Sequence, residues 1–175
     1  MDMFSGDEYV RLAKEALYAF IADGAVLNIP DWTPEKMLTG RAGVFVSLKK
    51  YGNLRGCIGT ISPTCKNIAE EIVQNAISSC SRDPRFDPVS VDEMENLEVS
   101  VDVLSEAEPV SSIEELNVKR YGVIVSKGLR RGLLLPNLEG VDTVEAQLTI
   151  ALQKAGIHEA SGYSIERFEV VRHED

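Results

Sequence analysis

The sequence predicts an α+β fold in which two β-β-α-β repeats share one curved mixed sheet, with helices outside and an extra N-terminal helix. Residues 122–126 repeat residues 43–47 at four of five positions. Each copy is followed by the patterns of a second strand, a helix and a last strand. This shared order of elements favours an internal duplication. We therefore expect approximate repeats over 43–104 and 122–171, as two lobes of a single domain that spans residues 1–175.

The helix ahead of the first repeat is marked at both ends. Ser5 and Glu8 have the spacing of a capping box, apolar pairs then recur at helical spacing, and Gly24 is a natural stop. Residues 28–40 follow as a loop. Trp32 in that loop is either a packing anchor or a wall of a binding site.

The strands of both repeats are recognised from apolar, β-branched or alternating segments bounded by turns. Val99, Val101 and Val103, for example, share one face of an extended segment. The predicted strands are residues 43–47, 54–59 and 97–104 in the first repeat and residues 122–126, 129–136 and 164–171 in the second.

A helix is predicted after the hairpin of the first repeat. Ser62 and Pro63 favour its start, because serine caps helices and proline is tolerated at the first helical position. Its apolar stripe ends at Cys80, which we expect in the core. Cys65 falls in the first turn, where we expect an exposed thiol without a function.

A helix is also predicted in the second repeat, over residues 143–155. Asp142 and Glu145 have the spacing of an acidic capping box. Gly156 follows the last apolar turn and predicts the end of this helix.

The composition is that of a globular protein with an acidic surface. Hydrophobic residues make up 44% of the chain, and the formal net charge is -10. Residues 81–120 carry eleven Asp and Glu side chains against four Lys and Arg. Because such a surface repels phosphate groups, we expect no binding to nucleic acids or to anionic membranes.

The three cysteines, at positions 57, 65 and 80, form neither a disulfide framework nor a CxxC zinc pattern. No phosphate-binding loop or dinucleotide-binding glycine motif is present, so we expect neither a metal nor a cofactor. The longest apolar run near the N-terminus, residues 16–22, is too short to span a bilayer. We expect a soluble protein of the reducing cytoplasm.

The segment around Cys57 carries the strongest chemical signal. Gly56 and Gly59 stand in a strand, where glycine marks a bulge or a close approach of backbone or ligand. Arg55 is two residues from Cys57, so both side chains lie on one face of an extended chain. A cation there favours the reactive thiolate. The alternative is a buried cysteine that acts as a small apolar residue.

The loop at residues 83–88 is rigid, because two prolines fix much of its backbone. It holds Arg85 and Phe86 in set directions, which suits a site. An alternative is a turn made by Asp83 and Arg85, with Phe86 in the core.

Arginines recur in these elements and could form a pocket for a carboxylate or phosphate if they converge. They can equally pair with the many acidic residues. These arginines are Arg55, Arg85, Arg130 and Arg131.

A cysteine nucleophile needs a base and donors for the developing oxyanion. The backbone N–H groups of Gly56 and Gly59 are candidate donors. His158 and His173 are the only histidines, and their positions predict solvated surface residues rather than bases.

Three segments together resemble the AMME-chromosomal-region domain family, whose prokaryotic members are called AmmeMemoRadiSam system protein A. The resemblance extends from about Leu12 to Val171. It implies an α+β protein with two intertwined lobes and a cavity near the Arg-Gly-Cys segment. It also implies action with a Memo-like protein, related to ring-cleaving dioxygenases, and with a radical SAM protein. The segments are Leu54-Arg55-Gly56-Cys57-Ile58-Gly59-Thr60, Asp83-Pro84-Arg85-Phe86, and Arg131-Gly132-Leu133-Leu134-Leu135-Pro136 followed by Leu138-Glu139-Gly140-Val141-Asp142-Thr143.

We therefore expect a component of a small-molecule modification system, with Cys57 as nucleophile or thiol carrier in an arginine-lined cleft. The alternative is a non-catalytic interaction or regulatory module that docks on a Memo-like or radical SAM partner. Whether the chain is an enzyme stays open. The residues expected to bind an anionic substrate are Arg55, Gly56, Gly59, Asp83, Arg85 and Arg131.

Overall fold

The computed structural model describes residues 6–175 and confirms the α+β class with two β-β-α-β repeats. The chain divides into two compact units. The first runs to Val103 and also contains Val171–Asp175, and the second is Leu104–Val170. In chain order the helices are α1 (Glu8–Asp23), α2 (Glu35–Thr39), α3 (Ile68–Ser81) and α4 (Val144–Ala155), and the strands are β1 (Val44–Lys50), β2 (Asn53–Gly59), β3 (Leu97–Leu104), β4 (Glu108–Val110), β5 (Gly122–Lys127), β6 (Arg130–Leu134), β7 (Ser164–Phe168) and β8 (Val170–Glu174).

The strands form two four-stranded sheets, so the expectation of one shared sheet is wrong. Their orders are β2-β1-β3-β8 and β4-β7-β5-β6. The central strand of each repeat pairs antiparallel with the strands on both sides of it. The last predicted strand, 164–171, is in fact two strands, β7 and β8, which belong to different sheets.

Helix α1 begins at Glu8, where the Asp7 carboxylate accepts the N–H groups of Tyr9 and Val10. The predicted cap, Ser5, lies outside the described residues. The helix ends as predicted at Gly24, whose φ of 66° is left-handed.

Helix α3 begins at Ile68, with Asn67 as its cap, so the prediction that it starts at Ser62 and Pro63 is wrong. The preceding segment is held as a loop because the Glu71 carboxylate accepts the backbone N–H groups of Thr64 and Cys65. Cys65 therefore precedes the helix instead of lying in its first turn.

Helix α4 ends as predicted at Gly156, with a φ of 69°. Its N-cap is Thr143 and not Asp142, because the Thr143 side chain accepts the N–H of Ala146. The loop predicted over residues 28–40 contains the short helix α2.

Each unit has its own apolar core. In the first, α3 packs on the face of the sheet that carries Val46 and Leu48, and α1 packs against α3. Trp32 packs against this core, with the Arg11 guanidinium 4.1 Å from its ring centroid, so it is a packing anchor. Cys80 is in the core as predicted, and burial raises the pKa of its thiol to about 11.

The core of the second unit is built from β5, β6 and α4. Its buried residues include Val123, Val125 and Ala151. Among the described residues, no helix combines the length and the apolar character needed to cross a membrane.

Candidate functional site

The face of the first sheet that lies away from α3 carries polar residues. Val46 and Leu48 of β1 are fully buried on the helix side. Ser47 therefore points to the other side, because side chains alternate along a strand. Its neighbours in register are Cys57 of β2 and Ser100 of β3. We call the part of this face around Cys57 and Ser47 the thiol face.

The thiol of Cys57 is partly buried and hydrogen-bonded. Its Sγ lies 3.1 Å from Oγ of Ser47. Burial raises the pKa of the Cys57 thiol, and it outweighs the Ser47 hydrogen bond and the Arg85 charge, which act in the opposite direction. The thiol is thus protonated at neutral pH, whereas the sequence predicted a shift toward thiolate.

The Asp83–Pro88 loop fixes the backbone at Cys57. The Cys57 N–H donates to Oδ2 of Asp83 at 3.0 Å, and its carbonyl accepts from Nη2 of Arg85 at 3.3 Å. Since β2 is an edge strand, these two side chains take the place of a further strand. Two of the predicted site residues, Asp83 and Arg85, therefore do meet Cys57.

Asp83 and Arg85 are also bound to each other. Nε and Nη2 of Arg85 donate to the two Asp83 oxygens at 3.0 and 2.8 Å. The Arg85 hydrogen bond holds the pKa of the Asp83 carboxyl well below its usual range. Arg85 is half exposed, while the Asp83 side chain is buried. Phe86 is only half-buried and lies outside the core, with the Arg85 guanidinium 5.5 Å from its ring.

A second arginine, Arg172 of β8, has the same kind of partner. Its Nε and Nη2 donate to Asp102 of β3 at 2.7 and 2.9 Å. The Asp102 side chain is fully buried, whereas Arg172 is 45% exposed. The hydrogen bonds to Asp102 raise the pKa of Arg172, and the charge of a Cys57 thiolate adds to that rise. The sequence carries no signal for this pair, because it depends on β8 joining the first sheet.

Arg55 does not serve the thiol as expected. Its guanidinium donates twice to Glu93, at 2.9 Å each, and also to the carbonyls of Asp87 and Pro88. These hydrogen bonds connect β2 with the end of the Asp83–Pro88 loop and with Glu93, which follows the loop. Arg85, and not Arg55, is an arginine whose charge lowers the pKa of the Cys57 thiol.

The arginines predicted in the second repeat pair with acidic residues of the second unit. Arg130 donates to Glu159 at 2.8 Å, and Arg131 lies 3.8 Å from Glu166. The pairing alternative is thus the one observed for both.

Gly56 and Gly59 are required by packing. A Cβ on Gly56 would lie 2.3 Å from the carbonyl oxygen of Ser79 in α3. A Cβ on Gly59 would lie 2.2 Å from the ring of Phe45, its partner on β1. Both glycines are explained without a substrate, and the donor role of their N–H groups stays a prediction.

Neither histidine is placed as a base for Cys57. His173 stacks on Tyr9, with ring centroids 3.8 Å apart, and its Nδ1 contacts the Asp7 carboxylate. It is thus not the solvated residue predicted, while His158 is exposed. Within residues 6–175, no group of three or more His, Cys, Asp or Glu side chains is placed to hold a metal ion.

A buried polar ladder on α3, consisting of Glu71, Asn75 and Ser79, supports the hairpin from the helix side. The Asn75 amide donates to the Val44 carbonyl at 2.9 Å. The Ser79 hydroxyl lies 2.7 Å from the Val46 carbonyl and accepts the Ile58 N–H at 3.0 Å. The ladder thus connects α3 with the backbone of both hairpin strands.

Glu71 is the most strongly bound member of this ladder and is fully buried. Burial opposes its charge, but hydrogen bonds from Thr60, Thr64 and Cys65 outweigh that effect and lower the pKa of the carboxyl. The i, i+4, i+8 spacing of the three ladder residues is the sequence signal that could have revealed them.

A family model described as AMMECR1 matches residues 10–173 of the chain. A protein of Thermotoga maritima is 51% identical over 173 residues, which cover 98% of this chain and 99% of that protein. A protein of Clostridium acetobutylicum is 55% identical over 170 residues, which cover 97% of this chain but 36% of that protein. The chain therefore spans about a third of the Clostridium protein.

The same fold is present in a crystal structure of an uncharacterized protein from Pyrococcus horikoshii. That structure matches with a TM-score of 0.89 at 34% sequence identity. The match covers 97% of this chain and 91% of the Pyrococcus chain.

Proposed function

The chain belongs to the AMMECR1 family, and from this premise we propose that its first unit binds a small anionic substrate beside the thiol of Cys57. It acts in the cytoplasm as one component of a small-molecule modification system. Its partners are a Memo-like protein and a radical SAM protein.

The proposal rests on two guanidinium groups, Arg85 and Arg172, whose pKa values the charge of a Cys57 thiolate would raise and each of which is held by a buried aspartate. Arg85 and Arg172 both use Nε and Nη2 for their aspartates. Their Nη1 groups have no partner among the described residues and remain available for a carboxylate or phosphate. The aspartates orient the two arginines, so little side-chain entropy is lost when an anion binds.

The proposed step is the addition of the Cys57 thiol to an electrophilic double bond of the bound substrate, in which the sulfur attacks as its proton leaves. The Sγ–carbon bond forms as the π bond breaks, and the thiol proton passes to the substrate atom that gains the electron pair. Ser47, 3.1 Å from the sulfur, is the hydroxyl through which this proton passes. The step needs no further reactant.

The proposal is tested by alkylating the native protein with iodoacetamide, which is neutral, and with iodoacetate, which is an anion. Rates are measured at each cysteine by mass spectrometry over a range of pH. We expect the ratio of the iodoacetate rate to the iodoacetamide rate to be higher at Cys57 than at Cys65. Arg85→Gln and Arg172→Gln should lower that ratio at Cys57 alone. Equal ratios at the two cysteines, or an unreactive Cys57, would remove the proposal.

A second function is favoured by the protonated thiol and by the absence of a histidine from its contacts. In this alternative, the chain is a non-catalytic module that docks on a Memo-like or radical SAM partner. A Cys57→Ser variant that keeps cellular function, beside a surface variant that loses it, would favour the module. Loss of function in Cys57→Ser, with the fold intact, would favour the thiol.

A further inference from the structure

A second candidate site lies in the first unit, between the end of α1 and α3. It is a groove of about 330 Å³, within the range of small-molecule sites. Its walls are apolar, and its polar groups are few. The groove is lined by Phe20, Val26, Leu27, Cys65, Glu70, Val73, Gln74, Ile77 and Arg82.

The groove is elongated along α3. Glu70, Val73, Gln74 and Ile77 are spaced i, i+3, i+4 and i+7 and so form one stripe of the helix. Arg82 follows Glu70 by twelve positions, which corresponds to about 18 Å at the helical rise per residue. The middle of the groove is therefore lined mainly by apolar residues, Val73 and Ile77, with Gln74 between them in sequence. Glu70 gives the groove an acidic end, and Arg82 gives it a basic end.

Arg82 is the unusual member of this set. Its guanidinium has no hydrogen-bond, ion-pair or aromatic partner anywhere in residues 6–175. Every other arginine of the chain contacts a carboxylate or a backbone carbonyl. In a chain of net charge -10, an arginine without an acidic partner at the end of an apolar groove is available for an anion.

From these observations we infer that the groove binds an unbranched apolar monocarboxylate of medium chain length. The carboxylate lies at Arg82, because Glu70 repels it from the opposite end. The hydrocarbon chain lies along Val73 and Ile77 toward Cys65.

Cys65 provides a direct measure of occupancy. Its thiol lines the groove and donates to Oε1 of Gln74 at 3.0 Å. Cys57 lies on the thiol face, away from α3, and does not line the groove. Its alkylation rate therefore serves as an internal control. This control also keeps the test independent of the proposed function, which concerns Cys57 alone.

The experiment measures iodoacetamide alkylation at Cys65 and Cys57 in the full chain, with decanoate added below its micelle concentration. We expect decanoate to slow the alkylation of Cys65 and to leave Cys57 unchanged. Acetate, which has no apolar chain, should not protect Cys65, and 1-decanol, which has the same chain but no charge, should protect it less than decanoate does. Arg82→Gln should weaken the affinity for decanoate about tenfold, as measured by calorimetry. Arg120→Gln is the matched control in the second unit and should have no effect.

Four results would overturn the inference. One is an unchanged Cys65 rate in decanoate, and another is equal protection by 1-decanol. The third is unchanged decanoate affinity in Arg82→Gln, since among the described residues that line the groove this variant removes the one cation. A parallel change of the Cys57 rate would indicate general unfolding by the fatty acid and would equally count against a specific site.

Discussion

The two repeats are built on the same frame but differ in what their hairpins carry. The strand orders β2-β1-β3 and β6-β5-β7 are equivalent. In both, a glycine of the second strand lies against the backbone of the following helix. A Cβ on Gly56 would lie 2.3 Å from a helix carbonyl oxygen, and a Cβ on Gly132 would lie 2.4 Å from one.

The difference lies on both sides of the second strand. Counted from the caps Asn67 and Thr143, the ladder residues of α3 correspond to Gln147, Ala151 and Ala155 of α4. On the strand itself, Leu133 takes the place of Cys57. The second repeat thus keeps the glycine and a buried polar residue at the first ladder position, where Gln147 donates to the Tyr121 carbonyl, but lacks the thiol and the other two ladder residues. These additions in the first repeat are therefore the features that a function must explain.

The largest expected effect concerns the feature that the repeats share. Gly56→Ala and Gly132→Ala should each lower the free energy of unfolding by about 3 kcal/mol, because the helix must move away from the strand. Urea denaturation measures this loss.

Gly52→Ala is the control for the two glycine variants. Gly52 has open space around it, and its φ of 77° alone makes alanine costly there, by about 1 kcal/mol. If Gly56→Ala or Gly132→Ala lowered the free energy of unfolding by less than Gly52→Ala does, close packing of a strand glycine on the helix would not be a requirement common to both repeats.

Glu71→Gln should lower the free energy of unfolding by about 2 kcal/mol at neutral pH, because the carboxylate loses acceptor capacity toward Thr60 and Thr64. The pKa of Glu71 is lowered in the fold. Its stabilising effect is therefore fully present above the ordinary carboxyl pKa and is lost as the pH falls through the lowered value.

The difference in the free energy of unfolding between the unchanged protein and Glu71→Gln should accordingly become smaller in acid. Glu70→Gln, at the neighbouring position, should change stability by less than about 0.5 kcal/mol. If this difference in the free energy of unfolding were the same at all pH values, the charge of Glu71 would not be the source of its stabilising effect.

Ser79→Ala gives α3 the residue that α4 has at the corresponding position, Ala155. We expect a loss of about 1 kcal/mol, because the hydroxyl bridges β1 and β2. Thermal unfolding measures it, with Ser81→Ala as the partly buried control. If Ser79→Ala and Ser81→Ala lowered stability equally, the hydrogen bonds of Ser79 to β1 and β2 would add no stability beyond that of an ordinary helix serine.

The smallest effect concerns reactivity. In a Cys57→Ser background, the thiol introduced by Leu133→Cys should show no preference for iodoacetate over iodoacetamide. The reason is that no arginine held by a buried aspartate corresponds to Arg85 in the second repeat. A preference equal to that of Cys57 would mean that the shared frame, and not the thiol face, attracts the anion.

Local patterns predicted the helix stops at Gly24 and Gly156, the duplication and most of the strands, because these depend on neighbours in sequence. They missed β4 and the division of residues 164–171 into β7 and β8. The glycine-flanked Cys57 and the rigid loop with Asp83 and Arg85 could also be found from the sequence. Their contact could not, since it depends on how the loop meets the edge of β2.

The misassigned features depend on contacts between distant residues. Arg55 was placed beside the thiol from its spacing alone, yet Glu93, 38 positions later, binds its guanidinium. The start of α3 was misplaced because Glu71 bonds backward to the preceding loop. Arg172 was missed because its aspartate partner is 70 positions away.

The position of β8 has a consequence for synthesis of the chain. The first sheet needs a strand that is synthesised only after the whole second repeat. Until then β3 has an open edge, and Asp102 lacks Arg172. The surroundings of the thiol face are therefore completed only once Arg172 has been synthesised, so a nascent chain, or one terminated before β8, carries Cys57 without one of its two arginines.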